Sequence, residues 1–232
     1  MNIKNIRTII KKELKLYFNS PIAYIVIIIF LLLCGFFYSR PLFVQGYVTL
    51  RHFFDILVLF LLFFVPAVSM KIFSEEYKTA TIEVIYTLPF YKIEILLGKY
   101  LASLIIILIG ITLTLFYPFT LLFLGRLDLT TTFAGYLGVI FLVIFFNSVG
   151  IFSSSLTKNQ IVSFIISFFI LFIFFAIGKM GFFVSDIISY VGIDMHYDNF
   201  IRGIVDLRDV VYFTSLSLLF LYFTYLSIQR QR

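Results

Sequence analysis

Six long stretches of the sequence contain no Asp, Glu, Lys or Arg, and this pattern constrains the fold more than any other feature. They cover residues 16–39, 56–70, 100–125, 129–157, 159–178 and 210–229. A helix that crosses the hydrocarbon core of a bilayer needs about 20 apolar residues. Five stretches reach that length, and the shorter second one is extended by His52, Phe53 and Phe54. Because membrane-barrel strands would give alternating segments of about 10 residues, the sequence predicts an all-α polytopic membrane protein with six transmembrane helices.

The composition agrees with this class. The 232 residues are 62% hydrophobic and 13% charged, whereas soluble domains carry about 25% charged residues. This argues against a soluble enzyme, a disordered regulator and a nucleic-acid-binding protein, so we expect no nucleic-acid partner. The single cysteine, Cys34, cannot form an internal disulfide or a multi-thiolate metal site. We therefore expect no catalytic, cofactor-binding or metal-binding residue.

The distribution of basic residues predicts the orientation of the chain. Six crossings place both termini on one side, and 12 of the 18 Lys and Arg residues fall on that side. Cytoplasmic loops carry an excess of Lys and Arg. The sequence therefore predicts a multi-pass protein of the inner (cytoplasmic) membrane with both termini in the cytoplasm.

The sequence predicts a single membrane domain, residues 1–232. Three of its segments outside the spans are long enough to have a role of their own. Residues 1–20 alternate lysines with apolar residues at helical spacing, namely Ile3, Ile6, Ile10, Leu14 and Tyr17. Such a pattern is typical of an interfacial helix that lies on membrane lipids. The other two segments are a cytoplasmic loop at 71–99, which we call the elbow, and an external segment at 179–209.

The chain lacks the residues that would power transport. Its spans carry no ionisable group near their centres, which argues against an ion-coupled carrier. It also lacks the GxxxxGK[ST] phosphate loop and is therefore predicted not to be an enzyme. Any uphill transport must take its energy from another polypeptide through a cytoplasmic contact.

The elbow has the features of such a contact. Ser74 is placed to cap a helix whose first turn holds Glu75 and Glu76, and Pro89 interrupts the chain before a second short helix at 91–98. An apolar edge is expected from Ile82, Ile85, Tyr86 and Pro89. Because the elbow holds four Lys and four Glu, it suits a protein partner better than anionic lipid. An ordinary solvated loop is the alternative.

The elbow resembles that of the type 2 ABC permeases, the membrane subunits of ATP-driven exporters. The matching positions are Glu76, Thr81, Ile82, Glu83, Pro89, Gly98 and Lys99. The family glycine is replaced here by Ala80, which argues against a left-handed turn at that point. Residues 20–24, 155–160 and 196–212 extend the resemblance to the gliding-motility-associated permease, with the nitrous-oxide-reductase copper-processing permease as a near relative.

The resemblance implies that the elbow couples this subunit to an ABC ATP-binding subunit that itself binds ATP and Mg²⁺, while this chain binds no cofactor. It also implies a second permease, in a homo- or heterodimer. The expected ATPase-coupling residues are Glu75, Glu76, Lys78, Thr81, Ile82, Glu83, Ile85, Pro89, Gly98 and Lys99. The alternative is a non-transporting membrane anchor of a motility or secretion assembly.

The external segment predicts short helices before the last span. Arg202 and Asp206 are spaced to pair at i, i+4 on one helix face. We expect an external gate or a plain lid, two interpretations that the sequence leaves open. Its residues would be His196, Arg202, Gly203, Asp206, Arg208 and Asp209.

Overall fold

The computed structural model describes residues 2–45, 50–87, 89–124, 128–184 and 190–230, except for the side chains of 41–45, 84–86, 124 and 180–184. Within these ranges the helices are α1 (Ile3–Phe18), α2 (Pro21–Gln45), α3 (Arg51–Ser69), α4 (Lys71–Lys78), α5 (Thr81–Thr87), α6 (Lys92–Thr114), α7 (Phe116–Leu124), α8 (Leu129–Leu156), α9 (Gln160–Val184), α10 (Ile193–Ile201) and α11 (Leu207–Arg230).

Six helical segments of the described chain are long and apolar enough to cross a membrane. They are Pro21–Arg40, Arg51–Lys78, Lys92–Phe123, Leu129–Leu156, Gln160–Lys179 and Leu207–Arg230. This confirms the predicted all-α polytopic class. The N-terminal segment is helical as expected, and a short helix, α10, precedes the last span.

Helix α8 is the centre of the bundle, and it contacts α3, α4, α6, α9, α10 and α11. Its glycines allow these contacts to be close. A Cβ atom on Gly138 would lie 2.6 Å from Phe200, and one on Gly135 would lie 2.5 Å from Phe54. Since lipid gives helices no hydrophobic reason to associate, small residues that let backbones approach are the usual basis of such packing.

The third span is interrupted, although the sequence predicted one continuous helix over 100–125. Helix α6 ends at Thr114 and α7 begins at Phe116. Pro118 explains the break, because proline has no N–H to donate to the carbonyl four residues earlier. The hydroxyl of Tyr136 donates to that Thr114 carbonyl instead, over 3.1 Å, so the freed oxygen is satisfied from α8.

Both ends of the described chain lie at the same end of the bundle, as six crossings require. The Nζ of Lys92 donates to the carbonyl of Ile228 near the end of α11, and Glu94 contacts Asn2 before α1. We call this the termini end. The opposite end carries α10 and residues 202–206.

The elbow differs from its predicted form at two points. Ser74 is not a cap, since α4 already begins at Lys71 and the Ser74 hydroxyl donates to the carbonyl of Met70 within the helix. No separate helix covers residues 91–98, because those from Lys92 onward form the first turns of α6. The elbow therefore consists of α4, α5 and the start of the third span.

Candidate functional site

A buried cluster of charges lies where α1, α4 and α6 meet at the termini end. Lys99 is 1% exposed. Its Nζ lies 2.9 Å from Glu13 Oε1 and 2.7 Å from Glu76 Oε1, and it also donates to the carbonyl of Ile72 over 3.0 Å. One ammonium group thus joins a carboxylate of α1 to a carboxylate of the elbow.

Lys12 completes the cluster and balances its charge. Its Nζ lies 3.2 Å from Glu13 Oε1 and 3.0 Å from Glu76 Oε1. Burial opposes ionisation of Glu13, but Lys99 and Lys12 outweigh it and hold the Glu13 pKa below its usual value. Burial likewise opposes the charge of Lys12, and the two carboxylates raise its pKa nonetheless. Two lysines and two glutamates form a neutral, mutually stabilised set.

The close packing of α1 against α6 explains the glycine at position 98. A Cβ atom on Gly98 would lie 2.7 Å from Cγ2 of Ile9, so only glycine lets the two helices approach this closely. At the start of α6, Glu94 accepts hydrogen bonds from the Asn2 amide at 2.5 Å and from the Asn5 side chain at 2.9 Å. These contacts hold α1 against α6 over its first three turns.

Helix α4 is held by α8 as well as by the charge cluster. The Ser154 hydroxyl accepts from the amides of Phe73 at 2.9 Å and Ser74 at 3.1 Å, and it donates to the Met70 carbonyl at 2.9 Å. The Ser154 side chain of α8 therefore caps the N-terminal end of α4. Just before α4, the Val68 carbonyl at the end of α3 accepts a hydrogen bond from the Tyr17 hydroxyl of α1 at 2.6 Å.

The predicted coupling residues divide into a buried set and an exposed set. Glu76, Ile82, Gly98 and Lys99 are buried, whereas Glu75, Lys78, Thr81, Glu83 and Pro89 are exposed. The Ile85 side chain lies outside the described residues. The buried members hold the elbow in place, and the exposed members are the ones that a partner could reach.

The turn between α4 and α5 corrects one expectation. Ala80 has a φ of 56°, so the left-handed turn is present although the residue is not glycine. This conformation costs a residue with a Cβ roughly 1–2 kcal/mol. The turn directs α5 away from α4 and brings the hydroxyls of Thr79 and Thr81 within 2.9 Å of each other.

A cavity of about 430 Å³ lies between α1 and the elbow, beside the charge cluster. Charged side chains from both sides border it, including Lys12, Lys71 and Glu75, together with the Thr81 hydroxyl and Gln160 of α9. Of the exposed coupling residues, Glu75 and Thr81 therefore border a concavity, whereas Lys78 and Glu83 lie outside it.

At the opposite end, the predicted gate residues form two separate groups. His196 and Asp209 are buried and paired, with Nδ1 of His196 2.6 Å from Oδ1 of Asp209. Arg202 and Arg208 are exposed. A cavity of about 430 Å³ lies between these groups and is also bordered by Asp55 and Lys179.

The predicted Arg202–Asp206 pair is wrong. Helix α10 ends at Ile201, and Gly203 adopts a φ of 85°, so residues 202 and 206 do not share a helix face. Arg202 instead pairs with Asp198 one turn earlier, at 2.5 Å. Asp206 accepts from the Arg208 amide at 2.9 Å and so caps α11.

Two further features of the described residues bear on the chemistry of the chain. Within the described residues, no three His, Cys, Asp or Glu side chains come together in a group that could hold a metal ion. Asn147, a polar residue in the fourth span, is fully buried and bonds to Ser103 at 2.9 Å and to the Tyr100 carbonyl at 3.2 Å. Its side chain joins α8 to α6.

The family model for the ABC-2 family transporter protein matches residues 40–231. The chain belongs to the ABC-2 transporter family. It is thus a multi-pass membrane permease subunit of an ABC transporter, not the ATP-binding subunit, and the family implies a separate ABC ATP-binding subunit as its partner. No curated protein matches the sequence. The match leaves out α1, so the family alone does not account for Lys12 and Glu13.

Proposed function

We propose that this ABC permease is an exporter subunit of the inner membrane, that both its termini are cytoplasmic, and that the exposed part of the elbow receives the ATP-binding subunit. The observation that supports this most strongly is the buried Lys99 cluster. It fixes α4 to α1 and α6, while Lys78, Thr81 and Glu83 next to it remain exposed. A surface that is both accessible and rigidly attached to the spans suits the transfer of force.

The proposed mechanism follows from these attachments. ATP and Mg²⁺ are bound by the partner, and closure of the ATP-binding subunits pushes on α5. Because α4 is tied to α1 by ion pairs and to α8 by Ser154, the push moves these helices together instead of bending the elbow. Helices α2, α3 and α9, the first, second and fifth spans, then rock between inward and outward states.

A second permease, identical or related, would complete the pathway. Helices α2, α3 and α9 border an apolar groove of about 370 Å³, lined by Phe30, Phe60, Phe63, Phe64 and Phe164 among others. Such walls suit an amphiphilic cargo or a polymer that is only partly enclosed. The resemblance of residues 20–24, 155–160 and 196–212 to the gliding-motility-associated permease supports a role in gliding motility.

Charge reversal on the elbow tests the docking surface. Lys78→Glu combined with Glu83→Arg changes two exposed residues while leaving the net charge of the chain unchanged. We expect at least a tenfold loss of co-purification with the ABC ATP-binding subunits co-expressed from the same genome. Lys158→Glu is the control, because Lys158 is exposed in the α8–α9 connection at the same end. Undiminished recovery with the double variant would show that the partner docks elsewhere.

Transport itself is tested with inverted vesicles that contain both subunits. We expect cargo uptake that stops when the catalytic carboxylate of the ATP-binding subunit is replaced. If the same replacement left motility or secretion intact, the chain would be a membrane anchor instead of a transporter.

A further inference from the structure

His196 makes two hydrogen bonds that together require an additional proton. Its Nδ1 lies 2.6 Å from Oδ1 of Asp209, and its Nε2 lies 3.1 Å from the carbonyl oxygen of Tyr190. A carbonyl oxygen only accepts hydrogen bonds, and an ionised carboxylate also only accepts. Neutral imidazole carries one N–H. The two bonds therefore exist together only when the His196–Asp209 pair holds one proton more than neutral imidazole and a carboxylate.

The surroundings of Asp209 place that proton on the imidazole. Asp209 lies in the first turn of α11, where the helix dipole stabilises a negative charge. Its second oxygen, Oδ2, accepts from the Asn199 side chain at 2.9 Å. These contacts all suit an acceptor at Asp209, so both ring nitrogens of His196 are placed to donate. The ring of Tyr212 stacks on the His196 imidazole, with 3.9 Å between the ring centroids.

Among the residues that the structure describes, the other ionisable groups around this pair are already engaged or further out. Lys179 of α9 pairs with Asp194 at 2.7 Å, and Asp198 pairs with Arg202. The cavity of about 430 Å³ at this end is bordered by Asp55 of α3, by Asp206 just before α11 and by Arg208 in the first turn of α11. Helix α8, the remaining neighbour of α10, contains no Asp, Glu, Lys, Arg or His.

We propose that His196 and Asp209 form a protonation site that locks the segment at residues 190–192 against α10. Loss of the proton leaves one N–H for two acceptors. The charge-assisted bond to Asp209 is the stronger one, so the bond to the Tyr190 carbonyl is lost. Because the locked form holds one more proton, acidic conditions favour it and alkaline conditions release it. The inference depends only on this geometry and not on the cargo or the partner.

The proton count can be measured directly by nuclear magnetic resonance. The chain has two histidines, and the exposed His52 serves as an internal reference when the full chain is labelled with ¹⁵N-histidine. At pH 5.5 we expect hydrogens on both ring nitrogens of His196, and at pH 9 on one. His52→Gln identifies the signals. A His196 ring with a single hydrogen at pH 5.5 would refute the proposal.

The structural consequence can be measured with a cysteine at position 193, in a Cys34→Ser background. Ile193 is 1% exposed at the start of α10, so Ile193→Cys reacts with a maleimide only when this segment opens, and Met195→Cys, at a residue 51% exposed, is the accessible control. We expect the ratio of the two rates to rise about tenfold between pH 5.5 and pH 8.5.

Asp209→Asn provides the decisive comparison. An asparagine amide donates to Nδ1 of neutral His196, whose Nε2–H still reaches Tyr190, so the segment remains locked without the additional proton. Added to Ile193→Cys, this substitution should keep the maleimide reaction slow across the same pH range. His196→Gln should give fast reaction at both pH values. An unchanged ratio in the parent, or the same pH dependence in Asp209→Asn, would overturn the proposal.

Discussion

The two ends of the bundle both bury ionisable groups, but they balance them differently. At the termini end, Lys12 and Lys99 face Glu13 and Glu76, so two bases are matched by two acids. At the opposite end, one histidine faces one aspartate. The first arrangement is balanced by its own residues, while the second, as proposed above, needs an additional proton.

This difference fits the parts that each end holds. The termini end fixes the elbow to α1 and α6, and the proposed transfer of force needs a contact that persists near neutral pH. The opposite end holds α10, a helix of nine residues, next to a cavity. The proposed contact at residues 190–192 depends on one proton, which suits a part that opens. Removing charges from one end and protons from the other tests this difference.

The largest expected effect is that of Lys99→Met. It leaves two buried carboxylates with only the half-exposed Lys12 between them. Removal of one partner from a buried ion pair costs about 3–5 kcal/mol, so we expect a loss of this size in the free energy of unfolding, measured by chemical denaturation in detergent.

Two further variants show whether the charge is the cause. Lys158→Met removes an exposed lysine at the same end and should change stability by less than about 0.5 kcal/mol. Adding Glu76→Gln to Lys99→Met should recover part of the loss, because one stranded charge disappears. If Lys99→Met and Lys158→Met were equally stable, the cluster would not be what holds the elbow.

A smaller effect is expected for Ser154→Ala. It leaves the amides of Phe73 and Ser74 without their acceptor, and loss of a cap costs about 0.5–2 kcal/mol. Ser153→Ala is a matched control, because Ser153 is equally buried and its hydroxyl donates only within α8, to the Val149 carbonyl. Equal stability of the two variants in the same denaturation experiment would show that Ser154 does not cap α4.

The spans could be predicted from the sequence because their signal is local. Each is a continuous apolar run, and membrane insertion tolerates few exceptions to that pattern. Pro118 was a local signal for the break at Leu115. Because the residues around Pro118 are as apolar as the rest of the span, the sequence still predicted one continuous helix. What the sequence did not reveal is that Tyr136 satisfies the carbonyl that Pro118 leaves free.

The candidate site was predictable only in part, because its decisive contacts join distant segments. The motif placed Glu76, Gly98 and Lys99 in one functional set, and they do lie together. Their partner Glu13 was missed, although it is the only acidic residue before Asp55. A single acid on the buried face of a basic helix was the available signal. The cap from Ser154 had none, since Ser154 is the middle one of three consecutive serines, 153–155.

The smallest effect, and the one that separates the two ends most clearly, is their response to pH. The pKa of Glu13 is lowered in the folded protein, because Lys99 and Lys12 outweigh the effect of burial. Its contribution to stability is thus complete above its unfolded pKa and is lost as the pH falls through the lower, folded value. The proposed His196 lock responds in the opposite direction, since alkaline conditions remove its proton. Amide hydrogen exchange corrected for intrinsic rates should therefore show α1 losing protection between pH 7 and pH 3, and residues 190–192 losing it between pH 7 and pH 9. Glu13→Gln should weaken α1 at neutral pH and remove most of its acid response. Loss of protection at both ends over the same pH range would mean that the bundle unfolds as a whole and that the two ends do not differ in the way their charges imply.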